Sequence, residues 1–248
     1  MSNAENIIAG VHAVSEAIRR RSADVAEILL QSDRQDKRIE SLRAEAQQTG
    51  LSLRQVTREE LDNLVTDRHQ GVVAIMARAK RPLDEAQLLA KIEGADRPVL
   101  ILVLDGVTDP HNLGACLRSA DAAGVTAVVT PKDKAVGLTP VVRKVASGAA
   151  ETIDLVTVTN LARCLKSLQD KGVWIVGTDD AADTTLYQQD LTGPLAIVMG
   201  SEGSGLRRLT RDCCDFLVSI PMAGELSSLN VSVATGVTLF EALRQRQS

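Results

Sequence analysis

From Val99 onward, six short apolar runs alternate with stretches of helical spacing, and this alternation leaves the chain few folds. The runs are Val99–Asp105 (VLILVLD), Val125–Thr130, Ile153–Val158, Trp174–Thr178, Leu195–Met199 and Phe216–Ile220. Helical patterns fall at Leu113–Ala123, Pro140–Ala149, Asn160–Lys171 and Asn230–Arg246. Continuous apolar strands alternating with helices predict a parallel sheet covered on both faces. Two consecutive runs also end in small, polar, glycine-containing loops: Gly200-Ser-Glu-Gly-Ser-Gly205, and Pro221-Met-Ala-Gly224 followed by Ser227-Ser-Leu-Asn230. Strand ends of that kind expose backbone groups and let a ligand approach closely.

The first half reads differently. Ala26–Gln31 predicts a strand, and Asp36–Gln48 a helix with Ile39, Leu42 and Ala46 on one face, stopped by Thr49-Gly50. Leu51–Val56, Arg58–Val65 and Gly71–Ala77 add a strand, a short helix and a strand. Residues 79–97 are charged, hold Pro82 and carry a weak helical pattern over Leu83–Ile92. We therefore expect a small α/β domain over residues 1–78, a linker over 79–97 and a larger α/β domain over 98–248.

Composition narrows the class of function. The hydrophobic share of 44% and the charged share of 24% are ordinary for a soluble globular protein. No apolar segment approaches the roughly 18 residues that span a membrane, so no membrane partner is expected. Met1–Ala13 lacks the pattern of a secretory signal. Cys116, Cys164, Cys213 and Cys214 show no metal-ligand spacing, which predicts free thiols in a reducing cytosol, a cytoplasmic location and no metal. A net charge of −4 and an aromatic share of 2% argue mildly against a nucleic-acid partner. They leave room for a local basic patch, such as Arg19-Arg20-Arg21.

Three constellations carry chemistry. In the first, a strand ends at Asp105 and a helix opens near Asn112 in DPHNLGACLRSA. Asn112 and Arg118 lie about one and two-thirds turns apart. On spacing alone, Asn112 reads as a helix cap and Arg118 as a solvated charge. The second is the glycine loop, which has neither the lysine of a P-loop nor GxGxxG spacing; its plain reading is a strand-to-helix turn with Glu202 as a helix-start charge. The third, SSLNVS, reads as a helix cap at Ser228 or Asn230, a role compatible with catalysis. His12, His69 and His111 are scattered, and no GxSxG elbow is present.

Taken in order, NLGACLRSA, IVMGSEGSGL and IPMAGELSSLNVSVATG resemble the SpoU class of SPOUT RNA methyltransferases. GVHAVSEAI and HQGVVA are similar to that class's small RNA-binding domain, so the resemblance spans essentially the whole chain. It implies a sheet whose last segment threads a deep trefoil knot, a homodimer, and S-adenosylmethionine held in the knot loops. It also implies ribose 2′-O-methylation of RNA. The wording lies nearest the branch acting on guanosine in 23S rRNA, with tRNA 2′-O-methylation and a non-catalytic ribosome-assembly factor as alternatives. A nucleotide- or phosphate-binding enzyme built on the glycine loop is a rival outside the class. By position, Gly200, Ile220 and Leu229, with Thr178 as a weaker addition, fall where the class binds its cofactor. Asn112, Arg118, Glu202, Ser228 and Asn230 fall at its catalytic positions.

A sulfonium methyl donor needs no metal; the weakly acidic alcohol is what needs help. The class's usual proposal makes the motif arginine, here Arg118, the base, but a guanidinium stays protonated in proteins. We expect Arg118 to hold phosphate or ribose oxygens and stabilise developing alkoxide charge. Glu202 then either orients Arg118 or receives the proton. Asn112, Ser228 and Asn230 fix the ribose and guanine.

Overall fold

The computed structural model describes residues 6–34, 36–65, 69–78 and 80–247. The chain forms two compact units, one of Met1–Arg81 with Leu138–Thr152, the other of Pro82–Gly137 with Ile153–Ser248.

In the first unit, strands β1 (Ile7–Ala9), β2 (Val25–Gln31), β3 (Leu53–Val56) and β4 (Val72–Met76) form a mixed sheet in the order β1-β4-β2-β3. Only β2 and β3 are parallel neighbours. Helices α1 (Val11–Arg21), α2 (Lys37–Gln48) and α3 (Arg58–Leu64) connect the strands. Asp36 starts α2 by accepting from the Arg38 and Ile39 amides, and Ile39, Leu42 and Ala46 are buried as the spacing predicts. Thr57 and Glu60 make a reciprocal capping box for α3. β1 and α1 are not among the expected elements. Here Ile8, Val14, Ala17 and Ile18 join the core with Ile28, Leu30 and Val72.

The arginines of α1 do not form an open basic patch. Arg19 pairs with Glu16 and Glu45, and Arg20 with Glu16. Arg21 pairs with Asp24 and, at 2.7 Å, with the buried Glu151.

The second unit opens with α4 (Glu85–Glu93), within the expected linker; its Leu88 is fully buried. Then come β5 (Leu100–Asp105), α5 (Pro110–Ala122), β6 (Ala127–Pro131), β7 (Leu155–Val158), α8 (Leu161–Asp170), β8 (Trp174–Thr178), β9 (Leu195–Gly200), α9 (Arg208–Arg211), β10 (Phe216–Val218) and α10 (Val231–Gln247). Between β6 and β7 the chain runs through α6 (Pro140–Val145) and α7 (Ala149–Thr152), which belong to the first unit. The sheet order is β10-β8-β9-β5-β6-β7 and every pairing is parallel. All six residues of β5 are buried, as expected of a central strand covered on both faces.

Three local readings shift for physical reasons. The single helix expected over Pro140–Ala149 is two, because Ser147 and Gly148 adopt left-handed φ of 51° and 99°. β6 starts late because the Val125 amide turns back to Ala120 O at the end of α5. Asn112 is not a cap: Asp109 takes the His111 and Asn112 amides and Pro110 sits in the first turn, leaving the Asn112 side chain free for other work.

The core of this unit is aliphatic. All four aromatic residues of the chain, Trp174, Tyr187, Phe216 and Phe240, lie exposed, and the Trp174 and Phe216 rings meet at 5.6 Å. Cys116, Cys164 and Cys213 are buried, Cys214 is partly so, and all are free thiols. Burial pushes the Cys116 thiol up to about 11 and Cys164 and Cys214 up to about 12, which suppresses the nucleophilic thiolate.

Candidate active site

The carboxyl ends of β8, β9 and β10 open onto one cavity of about 370 Å³. That is large enough for a small organic ligand. Parallel strands send all their carboxyl ends to one edge of the sheet, which is where open α/β folds place ligands. Thr178, Gly200, Leu206, Ile220, Ser228 and Leu229 line the cavity. The four residues predicted for the cofactor therefore share one wall system with predicted Ser228. The Thr178 hydroxyl is already committed to Val198 O at 3.2 Å, so it is not a free ligand donor.

Gly200 is required by close approach. A Cβ there would sit 2.2 Å from Gly205 C and 2.5 Å from Gly205 O and Leu206 N. The loop doubles back, with Ser201 N donating to Gly205 O at 3.1 Å and Gly205 N to Ser201 O at 3.0 Å. The run is thus a closed loop and not a direct turn into a helix: α9 begins only at Arg208. That geometry removes Glu202 from a helix-start role and puts it on the loop's rim.

There Glu202 meets two amides. Asn112 Nδ2 donates to Glu202 Oε1 at 3.2 Å, and Asn230 Nδ2 donates both to that same oxygen and to Asn112 Oδ1, the latter at 3.0 Å. Glu202 Oε2 has no hydrogen-bond partner among the described residues. Asn230 also caps α10, its Oδ1 accepting from Ser232 N at 2.9 Å. Packing of α5 on α10 sets this meeting: Cys116 Sγ donates to Thr235 Oγ1 at 3.5 Å one turn below it. Small Gly236 faces Ser119 across the same seam.

Arg118 stands apart. It is exposed, and among the described residues it has no hydrogen bond or ion pair. Six residues along a helix rotate it about 120° from Asn112. The expectation that Glu202 orients Arg118 fails in this structure, because Glu202 is held by Asn112 and Asn230 instead.

Sequence reasoning passed over Asp179 and Asp180, which line the cavity just beyond Thr178. The rule that ligands bind past strand ends marks them. Asp179 pairs with Arg211 at 2.6 Å, which holds its carboxyl below the usual range. Among the described residues no cluster of His, Cys, Asp or Glu is placed to hold a metal ion. No described helix is long and apolar enough to cross a membrane.

Comparisons with known proteins agree with this geometry. Residues 99–240 match the SpoU rRNA methylase family, and residues 7–82 match the RNA 2′-O ribose methyltransferase substrate-binding family. The chain is 58% identical over 247 residues to the 23S rRNA (guanosine-2′-O-)-methyltransferase RlmB of Pseudomonas putida, covering 100% of this chain and 99% of that one. It is 57% identical over 249 residues to the protein of the same name from Shewanella oneidensis, covering 98% and 99%. Its fold resembles the crystal structure of the SpoU methyltransferase AviRb from Streptomyces viridochromogenes in complex with the cofactor AdoMet, with a TM-score of 0.77, 26% identity and coverage of 97% and 90%. With a family match over more than half its length and relatives this similar from end to end, the chain belongs to the SpoU rRNA methylase family.

Proposed function

We propose that this protein transfers a methyl group from S-adenosylmethionine to the ribose 2′-hydroxyl of a guanosine in 23S rRNA. The observation that carries the reading is the cavity at the strand ends with the Asn112–Glu202–Asn230 cluster beside it. The cavity's lining suits the cofactor: apolar Leu206, Ile220 and Leu229 for a flat base, backbone groups around Gly200 for its edge, and Asp179 and Asp180 for hydroxyl and ammonium groups. When bound, the cofactor supplies a methyl carbon on a sulfonium leaving group.

The chain's own residues then prepare the nucleophile. Glu202 Oε1 is engaged by the two amides, which fix the carboxylate's orientation, and Oε2 accepts the 2′-hydroxyl proton. Arg118, unpaired and permanently charged, holds a phosphate or ribose oxygen and stabilises developing alkoxide charge. Asn112, Ser228 and Asn230 orient the ribose and guanine. Gly200, Ile220, Leu229 and Thr178 shape the cofactor's seat.

The same reading assigns residues 1–78 to RNA binding, 79–97 to a linker and 98–248 to catalysis; the substrate-binding match over residues 7–82 supports it. It includes a homodimer, supported by exposed Val233 and Phe240 on one face of α10. It includes the deep trefoil knot, supported by β10 lying at the sheet edge while α10 returns to pack on β9 and α5. A cytoplasmic location follows from an rRNA substrate and accords with four free thiols. The test is transfer of labelled methyl to 23S rRNA from a strain lacking the modification, with mapping of the nucleoside. Label on a guanosine 2′-oxygen is expected; label on tRNA alone, or none, overturns the reading.

A further inference from the structure

The most buried charged group in the catalytic unit is one that the mechanism above does not use. Asp105 ends β5 after five apolar residues and is 0% exposed. Burying a carboxylate in an aliphatic core is costly unless its partners hold it well. Its partners here are sparse. Oδ2 accepts from the Arg207 amide at 3.0 Å. Oδ1 lies 3.4 Å from Arg207 Nε and has no hydrogen-bond partner among the described residues. A leucine would serve the core better, so the group's value lies in what it holds.

What it holds is the far end of the glycine loop. In the parallel register Asp105 stands opposite Gly200, where that loop begins. Arg207 directly follows Leu206, where the loop ends. One carboxylate therefore fastens the return of a loop whose departure is fixed by the neighbouring strand. Gly106 completes the fitting: its φ of +91° favours glycine, and a Cβ there would lie 3.1 Å from Arg207 Nη2 and 3.6 Å from Ser201 Cβ. The missing side chain leaves space for the guanidinium to lie across Gly106 against the loop.

We propose that Asp105 and Arg207 form a clasp that sets the Ser201–Leu206 loop and so places Glu202 against Asn112 and Asn230. Both are positioning residues: neither touches substrate, and they act through the loop. The catalytic part of this inference rests on the function proposed above; the clasp itself does not.

Arg207→Ala tests the ion pair with the backbone hydrogen bond left in place, and its side chain is exposed enough for the variant to fold. Asp105→Asn removes the same charge while keeping an acceptor for the Arg207 amide. Each is expected to lower kcat about 10- to 100-fold, the scale of a misplaced catalytic group, with KM for rRNA little changed. The double variant is expected to lose no more than the worse single one, because both break one contact. Arg207→Lys is expected to recover part of the loss. Hydrogen–deuterium exchange is expected to quicken across residues 201–207 in both single variants. Multiplicative losses in the double variant, or unchanged kcat with unchanged exchange, overturn the clasp. If the wild-type enzyme transfers no methyl to rRNA, the functional reading fails, and exchange over 201–207 still decides the clasp alone.

Discussion

The two sheets of this molecule are built on opposite plans. The six-stranded sheet is wholly parallel, its central strand is buried along its entire length, and the carboxyl ends of β8, β9 and β10 converge on one cavity. The four-stranded sheet is mixed, and its strands present exposed residues such as Arg54 and Gln55 within β3. Parallel strands must be joined by crossovers, so their loops gather at one edge and make a site. The mixed sheet sends its loops to both edges, and its unit holds a separate cavity of about 500 Å³ lined by residues such as Ile8, His12, Leu64 and Arg143. In the same unit Arg19, Arg20 and Arg21 of α1 each meet a carboxylate. The Asn112–Glu202–Asn230 cluster thus lies in the parallel unit, while in the mixed unit the arginines at the end of α1 are held by carboxylates.

The sharpest way to break this contrast is at Gly200. Gly200→Val is expected to abolish S-adenosylhomocysteine binding by calorimetry, because even a Cβ overlaps the Gly205 backbone. The loop must reopen, so the damage extends beyond the cavity wall to Glu202. Retained binding would show that the cavity lies elsewhere.

Next in size is Arg118. Arg118→Ala is expected to lower turnover about 10²–10³-fold with cofactor affinity nearly unchanged. Arg118→Lys separates charge from base: partial activity with a shallow pH dependence is expected, and a rate climbing steeply toward the lysine pKa would make this residue the base.

The mixed unit is probed by Arg21→Ala. Glu151 is buried and depends on Arg21 and Arg143, and removing one partner of a buried pair costs about 3 kcal/mol. Urea unfolding should register that loss while cofactor affinity holds. Loss of affinity instead would erase the division of labour between the sheets.

The smallest effect is expected on α10. Hydrogen bonds from Arg244 and Gln245 hold the Glu241 carboxyl down at about 2. A lowered folded-state value contributes stability above the ordinary carboxylate range and loses it as pH falls toward about 2. Glu241→Gln should lower the neutral plateau slightly and flatten the acid limb of the stability profile below roughly pH 4.5.

The catalytic strands were legible in the sequence because each is a continuous apolar run, a signal that needs no knowledge of neighbours. Trp174–Thr178 is recovered residue for residue. Ile7–Ala9 was not legible, since three residues carry no period and that strand exists by pairing with β4. Likewise, the grouping of Leu138–Thr152 with the first unit comes with packing of α7 on α1, where Glu151 meets an arginine 130 residues away, which no local pattern records. In the site, Asn112, Glu202 and Asn230 were marked by motif wording, yet their mutual hydrogen bonds required a helix, a loop and a helix start to be placed at once. Asp105 was read as a strand end because its partner, Arg207, lies 102 residues on.

The surface position of the single indole decides how this chain can be watched. Trp174 is 55% exposed at the first residue of β8. Thr178, at the cavity, lies four residues along the same strand, roughly 13 Å away. Native emission should already be that of a hydrated tryptophan, so denaturation will shift it little, and cofactor binding will leave it nearly silent. Amide circular dichroism will follow unfolding of this aliphatic core more faithfully than intrinsic fluorescence, and a ligand titration read at the tryptophan will return a false negative.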